Sequence, residues 1–412
     1  MPRITTRHVL GLALVSCLHV LTGCAGHGDH TSEYISEAKI KMAGMKAGVD
    51  WQMSQEQFLA GELDKALRSV DNSIEVAPQV AKSHLLRGRI MIERGELEEA
   101  RKSLVRSTAL DPKGADAPYY LGIVHERFRQ HESALGFYKQ AIANAPSNAQ
   151  YVVAASEMLV QMKRLDEAEA LLSTPHESLV HNSAIRHTQG QLAMVRGDYA
   201  RASQLLEEAR LLAPDDTAIL ESLVQAQFSA GQFAEAEYNI SGLLKQKGEG
   251  PRRDLIHMRA TCLEKLNRVS EARSLLLELT TDEGGQRDIK AWVALGELSA
   301  RTKDYARLRL VGTRLCALSP DRPEGFQMRA MAMQAQGDLP GALKALDGAT
   351  ELPTPDAQSF VLKGLILSDL GQTREARAAF ESALSLRPDD AQVRGLIVGL
   401  DARRPVATHT ER

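Results

Sequence analysis

Aromatic side chains are scarce: Phe, Tyr and Trp make up 4% of the 412 residues. A large core built on rings is therefore excluded, and the Ala-, Leu-, Glu- and Arg-rich middle of the chain favours helices packed through small residues. Cysteine is nearly absent. Cys17, Cys24, Cys262 and Cys316 include no CxxC pair, so a zinc ribbon or thioredoxin-like site has no support. The apolar run from Val9 to Leu21 has 13 residues, short of the roughly 20 a membrane-spanning helix needs. Net charge is −3 with no concentrated basic patch, which argues against a nucleic-acid partner. Catalytic signatures are missing too. GxSxG, P-loop and Rossmann fingerprints do not occur. His125-Glu126 is followed by Arg127-Phe128-Arg129, so the zinc-protease pattern fails at its last residue. The many Asp/Glu pairs fall on solvated helix faces. No cofactor, metal or small-molecule substrate is expected.

What the N-terminus does contain is a leader. Arg3 and Arg7 precede the short apolar run, the layout of a secretory signal. The run ends in Leu21-Thr22-Gly23-Cys24, which resembles the bacterial lipobox. That resemblance implies cleavage before Cys24, acyl (palmitate-type) chains on its sulfur and its new amino group, and a membrane anchor. One buried chain, at about 0.8 kcal/mol per methylene, holds marginally and several hold firmly. Ala25 follows rather than Asp, which by the enteric sorting rule points to the outer membrane, facing the periplasm. Residues 25–32 form a small polar tether. His27, Asp29 and His30 lie on a Gly-rich leash and are not preorganised for a metal.

The body of the chain is periodic. Ala66, Ala100, Ala134, Ala168, Ala202 and Ala236 stand 34 residues apart, and the series resumes at Ala272, Ala342 and Ala376, with Leu308 at the intervening position. Glycine precedes the alanine by five residues at Gly61, Gly95, Gly197, Gly231, Gly337 and Gly371. Proline follows it by twelve at Pro78, Pro112, Pro146, Pro214, Pro320 and Pro388. Ser54, Gly88, Gly122, Ser156, Gly190, Ala260, Gly296, Ala330 and Gly364 hold a small residue twelve before it. Each landmark has a physical reason. Two antiparallel helices approach closely only through small residues. Glycine allows a tight turn, and proline cannot continue a helix.

This period and spacing resemble the tetratricopeptide-repeat (TPR) family, as in Leu121-Gly122, Ala134, Tyr138, Ala141, Pro146. The resemblance implies an all-α, right-handed superhelix of about ten helix-turn-helix repeats. They start near Ala47, Ala81, Ala115, Ala149, Ser183, Thr217, Arg253, Ile289, Pro323 and Ala357. The expected organisation is a signal peptide (1–23), a lipidated tether with an N-terminal capping helix (24–46), the array (47–390), a C-terminal capping helix (391–402) and a disordered tail (403–412). The fourth repeat is degenerate at Thr174-Pro175-His176, the seventh lacks glycine and proline, and the eighth has Lys303 at the turn. Cys262 and Cys316 read as small core residues.

In that family helix A lines a concave groove, with outward residues near the second, fifth, ninth, twelfth and thirteenth positions. In repeats one to three these include Trp51, Phe58, Arg89, Tyr119 and Arg127, the candidate partner-binding residues. They offer apolar anchors with a basic component for an extended peptide or helix of a partner protein. Trp51 and Phe58 read equally well as sealing the first repeat against the preceding helix. The Lys/Asn clamp of chaperone-binding members is not found. The leading expectation is a non-enzymatic scaffold anchored to the cell envelope, serving pilus, secretion, exopolysaccharide or outer-membrane assembly. Alternatives are an adaptor regulating a periplasmic hydrolase or protease, an enzyme, and a cytoplasmic protein with a misread start.

Overall fold

The computed structural model describes residues 29–174, 176–246, 252–281 and 284–402. Cys24, the lipobox and the tail 403–412 lie outside them. Among the described residues there are helices and no strand, the all-α repeat solenoid expected from the period. The chain divides into two compact units, Met1–Arg196 and Gly197–Arg412.

Unit 1 holds α1 (Asp29–Leu59), α2 (Leu63–Val76), α3 (Ala81–Glu93), α4 (Leu97–Leu110), α5 (Asp116–Arg127), α6 (His131–Asn144), α7 (Ala149–Gln161), α8 (Leu165–Leu172), α9 (Glu177–Val180) and α10 (Ser183–Val195). Unit 2 holds α11 (Tyr199–Leu212), α12 (Thr217–Ser229), α13 (Phe233–Lys245), α14 (Arg253–Lys265), α15 (Val269–Thr281), α16 (Ile289–Arg301), α17 (Tyr305–Leu318), α18 (Glu324–Ala335), α19 (Leu339–Thr350), α20 (Ala357–Asp369), α21 (Thr373–Leu386) and α22 (Ala391–Ala402). Within each unit helices pack on their neighbours in sequence, except that α10 packs on α7 and α8 past the short α9. One cluster, Met91, Ile92, Ala100, Leu104, Leu121 and Val124, draws on α3, α4 and α5. A hairpin thus buries its apolar face only with help from the next one.

The helix B alanines are fully buried at all nine positions, and Leu308 takes the tenth place in the same state. The helix A glycines explain why. A Cβ at Gly88 would stand 2.6 Å from the Leu104 side chain, at Gly122 2.3 Å from Tyr138, and at Gly364 2.5 Å from Phe380. Each glycine is the socket for a large side chain four residues beyond the buried alanine. Where Ser54 replaces glycine, its hydroxyl donates to the Ala66 carbonyl at 2.7 Å and so stays satisfied in a dry contact.

Every turn from helix A to helix B has one residue in the left-handed region. Glycine occupies it at positions 61, 95, 197, 231, 337 and 371, with φ from +75° to +81°. Arg129, Lys163, Asn267 and Lys303 occupy it elsewhere, at φ 57° to 60°. The turn is therefore kept where the glycine is lost. The reason is a pair of backbone bonds that end helix A. In the third repeat the Arg129 N–H donates to the Glu126 carbonyl at 2.7 Å and the Gln130 N–H to the His125 carbonyl at 2.9 Å. The Gly95 turn makes the same two bonds, which is the Schellman closure. Where a proline ends helix B, the residue before it has left the helical region: Ala77 (φ −140°), Asp111 (−132°), Ala145 (−143°), Ala213 (−140°) and Ser319 (−143°). Proline forces this on its predecessor and stops helix B.

The structure differs from the sequence expectation at the N-terminal end. The capping helix expected before Ala47 and the opening helix of the first repeat are one element, α1, of 31 residues. Nothing between Glu37 and Trp51 breaks a helix: proline is absent, and Gly44 and Gly48 meet no neighbour that a turn would relieve. In the fourth repeat α8 is only 8 residues long, and buried Leu179 of the four-residue α9 completes the cluster that a full helix B would fill. In unit 2, α17 and α18 approach closely through Gly312, Gly325 and Cys316. A Cβ on Gly312 would lie 2.8 Å from the Arg329 backbone nitrogen. Cys262 is buried, Cys316 half-buried, and both are free thiols.

Candidate partner-binding face

The helix A residues of the early repeats form a strip of rings and cations. Trp51 and Phe58, from α1, are half-buried and pack on a core cluster of Ala66, Val70, Leu86 and Ile90. Each also supports a cation from α3. Lys82 Nζ lies 4.2 Å from the Trp51 ring centroid, and Trp51 Nε1 donates to the Lys82 carbonyl at 3.3 Å. The Arg89 guanidinium sits between Phe58 (5.0 Å) and Tyr120 of α5 (5.2 Å). Trp51 and Phe58 do not seal the repeat against a preceding helix, since both lie on α1 itself; each packs on the α2 and α3 core and carries a cation on its ring.

Tyr119 is the centre of a tyrosine cluster. Its ring centroid is 5.0 Å from Tyr151, 5.2 Å from Tyr120 and 5.7 Å from Tyr138. Its hydroxyl accepts from Gln150 Nε2 at 2.8 Å. Tyr138 OH donates to Glu126 at 2.7 Å, and Tyr151 OH donates to Asp116 at 2.6 Å. Burial, reinforced by those carboxylates, raises both phenols well above the ordinary tyrosine range. Burial also raises Tyr119 and Tyr120. All four stay neutral donors near pH 7. Glu157 of α7 has its carboxyl pushed upward, first by its packed surroundings and then by the Glu126 carboxylate. The strip is thus cationic at α3 and anionic from the end of α5 to α7. Arg127 stands apart: it is exposed, and its Nη1 donates to the Ile92 carbonyl at 2.8 Å, tying it to the end of α3.

Five residues named from the sequence therefore fall into three groups. Phe58, Arg89 and Tyr119 are linked through Tyr120; Trp51 pairs with Lys82; Arg127 holds backbone. Sequence reasoning passed over Tyr120 and Tyr151 as groove residues. It also passed over Glu126 and Glu157, which stand at the twelfth and ninth positions of their repeats, places already marked as outward-facing.

In unit 2 the Arg314 guanidinium stands 6.0 Å from the Trp292 ring centroid, and ion pairs gather around α14. Arg252 pairs with Glu221 at 2.7 Å and Asp254 at 3.1 Å. Asp288 accepts from Arg253 at 2.7 Å and lies 3.3 Å from His257 Nε2. Burial alone would raise Asp288; the Arg253 guanidinium, the Ala291 N–H and His257 outweigh it and hold the carboxyl below its usual range. Glu237 bridges Arg259 (2.8 Å) and Arg268 (3.2 Å). Neither cysteine is an activated nucleophile: burial raises Cys262 to about 11 and also raises Cys316, the opposite of what nucleophilic catalysis requires.

Family models of the tetratricopeptide repeat match residues 54–114, 85–149, 187–250 and 357–390. The chain is similar to tetratricopeptide repeat protein 36 of Xenopus tropicalis, 37% identical over 101 residues, covering 24% of this chain and 50% of that protein. It is also similar to cellulose synthase 2 operon protein C of Komagataeibacter xylinus, 25% identical over 343 residues, covering 78% of this chain and 23% of that protein. The chain thus spans half the length of the first relative and under a quarter of the second. A solved structure of Pseudomonas aeruginosa pilF aligns with a TM-score of 0.41 and 18% identity, over 50% of this chain and 95% of that one. Tetratricopeptide repeats are thus found over residues 54–149, 187–250 and 357–390, and the buried alanines and left-handed turns keep the same 34-residue phase between them.

Proposed function

We propose that this chain is a non-enzymatic scaffold of the bacterial cell envelope, held to a membrane by lipid on Cys24, that recruits a protein partner on the helix A strip of its first four repeats. The observation that carries the recruiting role is the Trp51–Lys82 and Phe58–Arg89–Tyr120 arrangement. Half-buried rings offer area at low entropic cost, and cations resting on rings keep their N–H groups available for a partner's carboxylates. The partner segment carries acidic residues where it meets α3, and a basic residue where it meets Glu126 and Glu157. The relative named for a cellulose synthase operon favours exopolysaccharide export among the envelope assemblies such a scaffold could serve.

Cross-linking capture from the native envelope identifies the partner. Lys82→Glu with Arg89→Glu should then weaken its binding at least tenfold while the variant stays folded with only a small fall in melting temperature. Unchanged affinity would remove the strip from the interface. The anchor is tested separately: the mature N-terminal peptide should carry acyl mass on Cys24, and Cys24→Ser should leave the precursor uncleaved or release the protein. An unmodified N-terminus elsewhere would end the lipoprotein reading and leave the recruiting role standing.

A further inference from the structure

Helix α1 has apolar residues on two sides. One side, with Ala47 and Ser54 fully or nearly fully buried, docks on the first repeat. Roughly opposite, at 100° per residue, runs a second stripe: Tyr34, Ala38, Met42, Met45, Val49 and Met53, spaced by three and four. Its large members are 73%, 66%, 58%, 66% and 41% exposed in that order. Single exposed apolar residues need no account, but a stripe of about 28 Å along one helix does. The first half of α1 also runs beyond the hairpins. From Ser36 to Met42 every residue is exposed. An isolated stretch that short is marginal as a helix in water, so its helical form calls for a second surface.

The charges flanking the stripe say which surface. Lys39, Lys41 and Lys46 outnumber the single carboxylate Glu37 in its first half, and Asp50 and Glu56 stand in its second. An antiparallel copy of the same helix, crossing near residue 47, sets Met42 against Met53 and Met45 against Val49. It also brings Lys46 of each copy beside Asp50 of the other, and Lys39 beside Glu56. A parallel copy would set lysines against lysines. The contact is self-complementary about a twofold axis, the closed arrangement a homodimer requires. Unbranched methionines adapt to such a seam.

We propose that the Tyr34–Met53 stripe of α1 is a homodimer interface, in which two copies of this chain pair antiparallel about residue 47. The geometry makes a sharp distance test. In that dimer the two Val49 positions lie within about 10 Å of one another, and the two Tyr34 positions about 40 Å apart, from the rise of 1.5 Å per residue. In the full-length chain with Cys17→Ser and Cys24→Ser, held in mild non-ionic detergent, Val49→Cys should give a covalent dimer with a short bis-maleimide. Tyr34→Cys should not. The parent without an added cysteine sets the background from Cys262 and Cys316. Sedimentation equilibrium of the same chain should show a dimer that Met45→Glu weakens at least tenfold, while circular dichroism melting stays the same because Met45 touches solvent in the single chain. Tyr34→Cys cross-linking as readily as Val49→Cys would overturn the antiparallel pairing. A monomer at tens of micromolar would overturn the dimer. So would Met45→Glu leaving the dimer intact, or a monomer whose stripe binds phosphatidylglycerol vesicles instead.

Discussion

The two units use one backbone plan and both carry arginine–carboxylate pairs, but the closer cation–ring contacts stand in unit 1, where unit 2 has Arg314 at 6.0 Å from the Trp292 ring. In unit 1, Lys82 and Arg89 rest on Trp51, Phe58 and Tyr120. In unit 2, Arg252, Arg253, Arg259 and Arg268 are held by Glu221, Asp254, Asp288, Glu237 and Glu271. A cation on a ring gains about 0.5–1 kcal/mol at an exposed site and keeps its donors free. A paired one must give up a carboxylate before it can serve a partner. A repeat framework therefore leaves the outward chemistry open: cation–ring contacts gather on the helix A face of the first repeats, and arginine–carboxylate pairs gather around α14.

The comparison can be broken at four depths. The largest effect belongs to Tyr138, which is fully buried and fills the Gly122 socket. Tyr138→Ala should cost about 3–5 kcal/mol, the range for large aromatic truncations, seen as a lower denaturant midpoint. A loss below 1 kcal/mol would mean that the tyrosines of unit 1 are all surface. Next is Asp288→Asn, expected to cost about 1–3 kcal/mol at pH 7 through its hydrogen bonds to charged groups. Because folding lowers the Asp288 pKa, its contribution is present above the usual aspartate range. It fades as the pH falls from there through the lowered folded value. Melting curves from pH 7 to pH 3 should bring the variant and the parent together in acid.

Smaller still is the exchange of turn residues. Gly231→Ala should lose about 1 kcal/mol, the left-handed penalty of a side chain, whereas Lys163→Gly and Lys303→Gly should each gain about 0.5–1 kcal/mol. Thermal melts of the three variants decide it, and equal signs would refute a shared turn geometry. The smallest effect sharpens the contrast in sign. Glu157 titrates above its usual range because ionisation is disfavoured in the fold. Glu157→Gln should therefore raise stability slightly at pH 7. The gain should shrink as the pH falls from the raised folded value and vanish below the usual glutamate range, opposite in sign to the Asp288 contribution.

The fold was legible because helix crossings tolerate so little. A residue that must be nearly absent in size, such as Ala134 or Gly122, recurs wherever the crossing recurs, and the period survives any drift on the surface. The turns were only partly legible. Arg129, Lys163 and Lys303 carry no glycine signal; their left-handed backbone is imposed by the two hydrogen bonds that close helix A. The candidate face was legible where one ring stands at an outward position, as with Tyr119 and Phe58. It was not where contacts run between repeats. Tyr120 and Tyr151 reach the strip from the sixth and third positions of their repeats, set by packing against a neighbouring helix. Arg127 stands at an outward position and is diverted by the Ile92 carbonyl.

The paired sockets have a bearing on how such an array can grow or shrink. Gly88 accepts Leu104, Gly122 accepts Tyr138 and Gly364 accepts Phe380, three plugs of different shape in three sockets of one repeat plan. A genetic exchange whose crossover fell at a glycine turn would join one repeat's socket to another's plug, and the hybrid hairpin would hold a void or a collision. A crossover at the proline that ends helix B keeps each plug with its own socket. Inheritance by duplication and deletion therefore has natural breakpoints at Pro78, Pro112 and Pro146 and their successors, and the hairpin bounded by prolines is the unit that can be copied whole.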